Sequence, residues 1–308
     1  MEGMPLVHVS WALADNGLRP ACDAFFREVF GAETAHEILI TPETEKLGLD
    51  REESLLMVGD TMLIPIAPAG RGAEPGHPLG DMLRRSAGEN RWIGIALKTN
   101  DLAAADAWFA ARGFKRHYDP GMEAFYFLIP RGQVMGLRLE IVKQDMPGDP
   151  RRDPSWSAAK WRDGHPLGIE GLQAIGLSVP SLNDAREMFH GKLGLPELGE
   201  RALPEGGCAA FAIGDTVLEV LAGRKQSDAV SVHAREVKGI RHLVFKVRDA
   251  TAAAQYLRGK GLPLTGDTET RFAVVPEAAQ GRLIWFTGAT PAGYPPAGSR
   301  LAELVKTA

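Results

Sequence analysis

Apolar and polar positions regroup in the same order four times along this chain. Each time a short apolar strand leads into a polar start signal, an amphipathic helix and a closing glycine. The first strand spans 6–11, with a helix near 19–30 closed by Gly31. The second spans 92–97, with a helix over 101–112 and then Gly113. The third spans 172–179, with a helix over 181–192 and Gly194. The fourth spans 240–247, with a helix over 249–260 and Gly261. Asp101, Ser181 and Asp249 are expected N-caps, because their side-chain oxygens can accept the orphan N–H groups of a first helical turn. Phe25, Phe26, Val29 and Phe30 gather on one face of the first helix, as a core stripe does.

Strand-like runs follow the helices. They lie at 114–118, 124–129 and 137–142 in the second unit, and at 197–203, 208–213 and 217–221 in the third. The fourth has 271–275 and 282–287, with a weaker run near Leu264. The recurring unit is therefore strand, helix, three strands. One helix cannot cover both faces of four strands, so such units must pair and curl around a shared hollow.

Literal repetition supports this division. The string from Val58 to Ala67, VGDTMLIPIA, returns as IGDTVLEVLA from Ile213 to Ala222. The helix start at Asp101 is echoed at Asp249. Glycine- and proline-rich or polar stretches at 67–91, 144–168 and 222–239 separate the units, and the middle one is the best boundary. The expected organisation is a first domain over 1–145 (units 5–67 and 91–144), a linker over 146–167, a second domain over 168–290 (units 170–222 and 239–289), and a tail over 291–308. Trp156 and Trp161 are expected to pin the linker onto a domain, with a lid over a pocket as the alternative.

Composition narrows the class. The chain has 308 residues, 44% hydrophobic and 24% charged, which allows a sizeable core. A formal charge of −4 without a basic cluster argues against a nucleic-acid surface. No run approaches the length of a membrane span, and Met1 to Val9 lack the features of a secretory signal. Two distant cysteines, Cys22 and Cys208, suggest a reduced, cytoplasmic protein in which both are small buried hydrophobes. The oligomeric expectation is monomer or homodimer. There is no Gly-rich phosphate loop, no Gly-x-Ser-x-Gly elbow and no Cys-x-x-Cys pair.

Paired strand–helix–three-strand units resemble the vicinal oxygen chelate (VOC) superfamily, which includes glyoxalases, methylmalonyl-CoA epimerases, extradiol dioxygenases and bleomycin-resistance proteins. The string Gly239-Ile240-Arg241-His242-Leu243-Val244-Phe245 is similar to the epimerase segment that carries a ligand histidine. Val275-Pro276-Glu277 through Gly281-Arg282-Leu283-Ile284 resembles that family's proline turn and last strand, and the path from Ala67 through Pro78-Leu79-Gly80 to Gly88 resembles its connection between units. The resemblance covers nearly all of 5–290. It implies an α+β fold of tandem βαβββ modules forming two curved, mostly antiparallel half-barrel domains (the glyoxalase/bleomycin resistance/dioxygenase fold). It says little about reaction, because the fold hosts unrelated chemistries.

In that superfamily a divalent metal (Fe, Mn, Zn, Ni or Co) is held by inward residues on the first and last strands of two paired modules. Imidazole and carboxylate suit those ions, and open positions accept substrate oxygens. Carried over by residue, the four modules offer His8 and Ile64, Gly94 and Glu140, Ala174 and Glu219, His242 and Trp285. The resemblance thus implies metal ligands His8, Glu140, Glu219 and His242, two per half, against the three that a catalytic centre normally has. Pairing of the first module with the fourth, as in some hydroquinone ring-cleaving dioxygenases, would instead bring His8 to His242, with no carboxylate near Trp285. Glu140 and Glu219 are the candidate catalytic bases, since an inward carboxylate needs a partner or a wet cavity. Trp285, Tyr126 and Phe211 are candidate walls for a substrate. The functional expectation is a small-molecule enzyme, a divalent-metal-dependent lyase, isomerase or dioxygenase acting on a small oxygenated or aromatic metabolite. The alternative is metal-free binding or sequestration of a small molecule, as in the resistance branch.

Overall fold

The computed structural model describes residues 4–46, 48–119, 121–143, 149–153, 155–203 and 206–290. The tail at 291–308 and the linker residues 146–148 and 154 lie outside them. The first half runs β1 (Leu6–Ala12), α1 (Arg19–Phe30), β2 (Glu33–Ile38), α2 (Pro42–Lys46), β3 (Arg51–Val58), β4 (Thr61–Pro68), α3 (Pro78–Gly88), β5 (Trp92–Thr99), α4 (Leu102–Ala111), β6 (Tyr126–Ile129) and β7 (Leu139–Lys143). The second half begins with α5 (Ala159–Gly164) and β8 (Ile169–Ser178). It continues through α6 (Leu182–Arg186, extended by a π-wound segment Glu187–Lys192), β9 (Glu197–Leu203), β10 (Gly206–Ile213) and β11 (Thr216–Gly223). It ends with α7 (Ala229–Glu236), β12 (Gly239–Val247), α8 (Ala250–Gly259), β13 (Leu264–Asp267), β14 (Arg271–Val274) and β15 (Leu283–Thr287).

The strands form two sheets, ordered β2-β3-β4-β1-β5-β7-β6 and β13-β14-β15-β12-β8-β11-β10-β9. In each module the first strand lies parallel to the last: β1 to β4, β5 to β7, β8 to β11 and β12 to β15. The two first strands of each pair meet antiparallel, β1 on β5 and β8 on β12. Modules are therefore joined first to second and third to fourth, and His8 and His242 lie in different sheets. These central strands are covered on both faces, so β1 is buried at every position and reads as a nearly unbroken apolar run.

Local signals behave as their chemistry requires. Asp101 accepts from the N–H of Ala104 at 2.8 Å, Ser181 from Asp184 at 3.2 Å, and Asp249 from Ala252 at 2.9 Å. The second module departs from the expected pattern, because the run at 114–118 makes only a single bridge, His117 to Leu128. The side chain of Gln133 takes both the N–H and the carbonyl of Lys115, at 2.7 and 2.8 Å. Arg116 and Tyr118 meanwhile turn onto Asp106, so the backbone is drawn away from a full ladder.

The repeated Gly-Asp-Thr turn clasps the halves together. Asp215 accepts from the N–H of Leu6 at 2.8 Å, and Asp60 accepts from the N–H of Leu172 at 3.1 Å, so each turn caps the first strand of the opposite half. Gly59 and Gly214 adopt φ of 60° and 61°, a left-handed conformation that glycine reaches without strain. A Cβ on Gly214 would also fall 2.1 Å from the carbonyl oxygen of Met4. Burial first, and then the like charge of Asp215, push the Asp60 carboxyl up to about 7.

The linker adds a second clasp. Arg151 is fully buried, pairs with Asp149 through two hydrogen bonds of 2.8 and 2.7 Å, and donates to the carbonyls of Asp60 and Val7. Trp161 is buried and donates to the carbonyl of Gly31 at 3.0 Å, so it anchors the linker. One continuous apolar core spans both sheets. At its centre Phe30 of α1 meets Phe245 and Phe286 at ring distances of 6.0 and 5.8 Å. Cys22 and Cys208 are both buried and unpaired.

Candidate functional site

Strand parity brings a histidine and a glutamate together once in each half. In the first half His8, Ala96 and Glu140 stand in one row across β1, β5 and β7. In the second, His242, Gly176 and Glu219 stand in one row across β12, β8 and β11. Neighbouring strands put row partners on the same face, and the small residue on the middle strand lets the outer side chains meet above it. Gly176 is needed for this, since a Cβ there would fall 2.1 Å from Cε1 of His242. The first half thus keeps the histidine of its leading module and the glutamate of its trailing one, and the second half keeps the opposite choice.

The two pairs differ in what surrounds them. His242 Nε2 lies 3.2 Å from Glu219 Oε2. The guanidinium of Arg271, at the start of β14, grips the same carboxylate with bonds of 2.9 and 2.7 Å, and Arg201 of β9 adds a third at 2.8 Å. Burial alone would raise the pKa of Glu219, but the hydrogen bonds from His242 and Arg271 and the Arg271 charge hold it well below the usual carboxylate range. Burial pushes His242 down to about 4 against the pull of Glu219, and the charges of Arg271 and Arg241 add to it. The imidazole is therefore neutral near pH 7. Trp285 stands beside it, edge-on at 6.4 Å, and Arg271 lies 5.5 Å above the indole ring.

In the first half His8 Nε2 lies 3.7 Å from Glu140 Oε2, a contact longer than a hydrogen bond. The Glu140 side chain keeps a quarter of its surface exposed, against 6% for Glu219. Burial of Glu140 is outweighed by His8 and by the charges of Arg138 and Arg51, so its pKa is lowered and it is ionised at neutral pH. Tyr126, opposite Val142 on the same face, donates its hydroxyl to Asp119 at 2.6 Å. Burial and that carboxylate raise its pKa, so it is held as a phenol. Phe211 is elsewhere. Its strand neighbour Ala210 is the residue opposite Glu219, so Phe211 points to the other face, where it is buried against Phe189. It walls no cup, because parity excludes it.

The donor sets do not fit a resident divalent metal. Among the described residues no three His, Cys, Asp or Glu side chains converge. In the second half a cation is already in place, since Arg271 Nη2 sits 2.7 Å from Glu219 and 3.5 Å from His242 Nε2. The first half offers two donors, short of the three a catalytic centre uses. Arg271 and Arg201 were the residues that sequence reasoning missed. Parity was the available signal: Arg271 shares a face with Ala273, the partner of Trp285, and Arg201 is opposite Cys208, itself opposite Leu221 on the Glu219 face.

Comparison with known structures decides the architecture. A variant of 4-hydroxymandelate synthase from Streptomyces coelicolor superposes with a TM-score of 0.69, covering 99% of this chain and 98% of that one at 14% identity. The chain has the vicinal oxygen chelate fold. Methylmalonyl-CoA epimerase from Mycobacterium tuberculosis matches 40% of this chain and 89% of its own at 24% identity, with a TM-score of 0.36. An epimerase from Streptomyces coelicolor matches 41% of this chain and 99% of its own at 20% identity, with a TM-score of 0.36. No family model and no curated protein matches the sequence. Within this VOC fold the row of a first strand, its antiparallel neighbour and a last strand is what positions each His–Glu pair. None of the described helices is long and apolar enough to cross a membrane.

Proposed function

We propose that this protein is a small-molecule enzyme working in its first half, with Glu140 as base and His8 as its proton partner. The reaction class is proton transfer next to a carbonyl of a small oxygenated metabolite: Glu140 takes a proton from carbon, and the acid so formed, or His8, returns it to the same or a neighbouring carbon. Substrate and product then differ only in where the proton lies, and no oxidant or metal is consumed. The observation that carries this reading is the contrast between the carboxylates. Both oxygens of Glu219 are saturated by Arg271 and Arg201, whereas Glu140 is ionised, partly exposed and, among the described residues, has only an imidazole at 3.7 Å as a side-chain partner.

The test is deuterium incorporation from heavy water into a panel of small 2-oxo and 3-oxo acids, read by mass spectrometry in the presence of a chelator. Exchange in the natural protein that is lost in Glu140→Gln and weakened in His8→Ala supports the reading. Exchange unaffected by Glu140→Gln, or exchange abolished by the chelator, overturns it. The second reading, metal-free binding without turnover, draws on the second half, where Arg271 lies against Trp285 and both oxygens of Glu219 are taken up by arginines. Ligand retention without any exchange would favour it.

A further inference from the structure

Beside the His8–Glu140 row lies a cavity of about 550 Å³. Its walls come from α3, the start of β5, and the segment joining β6 to β7. It adjoins the row because Leu128, one of its lining residues, is the strand partner of Glu140, and Arg138 lies two positions before Glu140 on the same face. Four arginines line it, Arg85, Arg91, Arg131 and Arg138, and no carboxylate does. Two of these are engaged elsewhere. Arg91 pairs with Glu89 at 2.6 Å, and Arg131 donates to the backbone carbonyls of Val237 and Lys238 at 2.9 and 3.2 Å. Among the described residues the guanidinium groups of Arg85 and Arg138 have no hydrogen-bond or ion-pair partner, and Nε of Arg91 is buried without an acceptor. Arg85 is solvent-exposed and its charge is screened, whereas Arg91 and Arg138 are half-buried; burial, with the charge of Arg85, lowers the pKa of Arg91 in spite of Glu89. An anion would oppose that shift. The remaining wall is mostly apolar, from Met82, Trp92, Ile93, Leu128 and Pro130, and also holds Ser86 and His117, whose Nε2 lies 3.1 Å from Asp119 Oδ1.

We infer that this cavity binds an organic anion, a carboxylate or phosphate carried on an apolar body, with Arg85 and Arg138 closing on the charged head. Guanidinium is the group suited to it, since its planar fork matches either oxyanion in a bidentate contact. The apolar body lies against Trp92 and Leu128. The inference deepens the proposed function by naming the substrate class. It rests on that reading only for the step that follows binding, so a binding measurement separates the two.

The experiment is isothermal titration of the full chain with phenylacetate, phenyl phosphate and the neutral phenylacetamide, repeated for Arg138→Gln and Arg85→Gln. Thermal unfolding of each variant checks that it is folded. At least one anion is expected to bind, phenylacetamide is not, and each substitution should weaken the anion by roughly tenfold or more, as loss of a charge-assisted contact does. Preference between the two anions tells which head the site takes. Glu140→Gln should leave this binding intact or tighten it. Failure of both anions to bind the natural protein at millimolar concentration, equal binding of the neutral amide, or affinity unchanged in both arginine variants overturns the site. None of those results bears on proton exchange by Glu140.

Discussion

Asp60→Asn is expected to stabilise the protein in a pH-dependent way. Asn keeps the oxygen that accepts the Leu172 N–H, at 3.1 Å in the natural chain, and the contact with Thr61 at 2.9 Å, but carries no charge. The natural carboxyl is raised from 3.8 to about 7 in the fold. Between those values the folded protein holds a proton that the unfolded chain has released, so stability falls as pH rises through that window. It is fully present below the unfolded value and lost above the folded one. A shift of about three units corresponds to roughly 4 kcal/mol, taken as an upper figure. The variant lacks this slope. Its advantage over the natural protein should be near zero or slightly negative at acid pH and grow to about 2–4 kcal/mol on the alkaline side of neutral. Urea unfolding of both proteins, followed by tryptophan fluorescence on either side of the window, measures the difference; groups that do not interact with Asp60 cancel in the comparison, and the response of Asp215 is part of the effect measured. A difference between variant and natural protein that does not change with pH would refute the argument that burial and Asp215 strain the clasp.

Four further outcomes follow from the second half. Arg271→Met leaves Glu219 buried beside a neutral imidazole with only the part-exposed Arg201 as a cation, so a loss of about 3–5 kcal/mol is expected in chemical unfolding. Arg201→Met should cost about 1 kcal/mol or less, because its side chain is 47% exposed. Gly176→Val should abolish or strongly weaken folding of the second half by driving its side chain into the His242 ring, read as loss of protease resistance. His242 should show no titration by nitrogen NMR between mildly acid and mildly alkaline pH, because burial holds it down to about 4, and a midpoint near its ordinary value would contradict the packing around it.

Much of this architecture was legible in the chain because it rests on short-range physics. Alternation and helical spacing gave the modules, and the caps at Asp101, Ser181 and Asp249 follow from local hydrogen bonding. The resemblance set His8, Glu140, Glu219 and His242 at matching positions of first and last strands, and side-chain alternation then puts such positions on one face. What lies across that face depends on sheet order, and no local pattern encodes sheet order. Only the tertiary structure joined β1 to β5 and β8 to β12, which keeps His8 from His242 and gives each a glutamate across one small residue. Arg271 reached Glu219 from a strand 52 residues later, on β14, two strands beyond β12 in the sheet. The repeated Gly-Asp-Thr turn could be read as a turn in each half. That each aspartate would cap the opposite half's first strand came from docking the two sheets. Docking buries both carboxylates together and so sets a charge that neither half would carry alone.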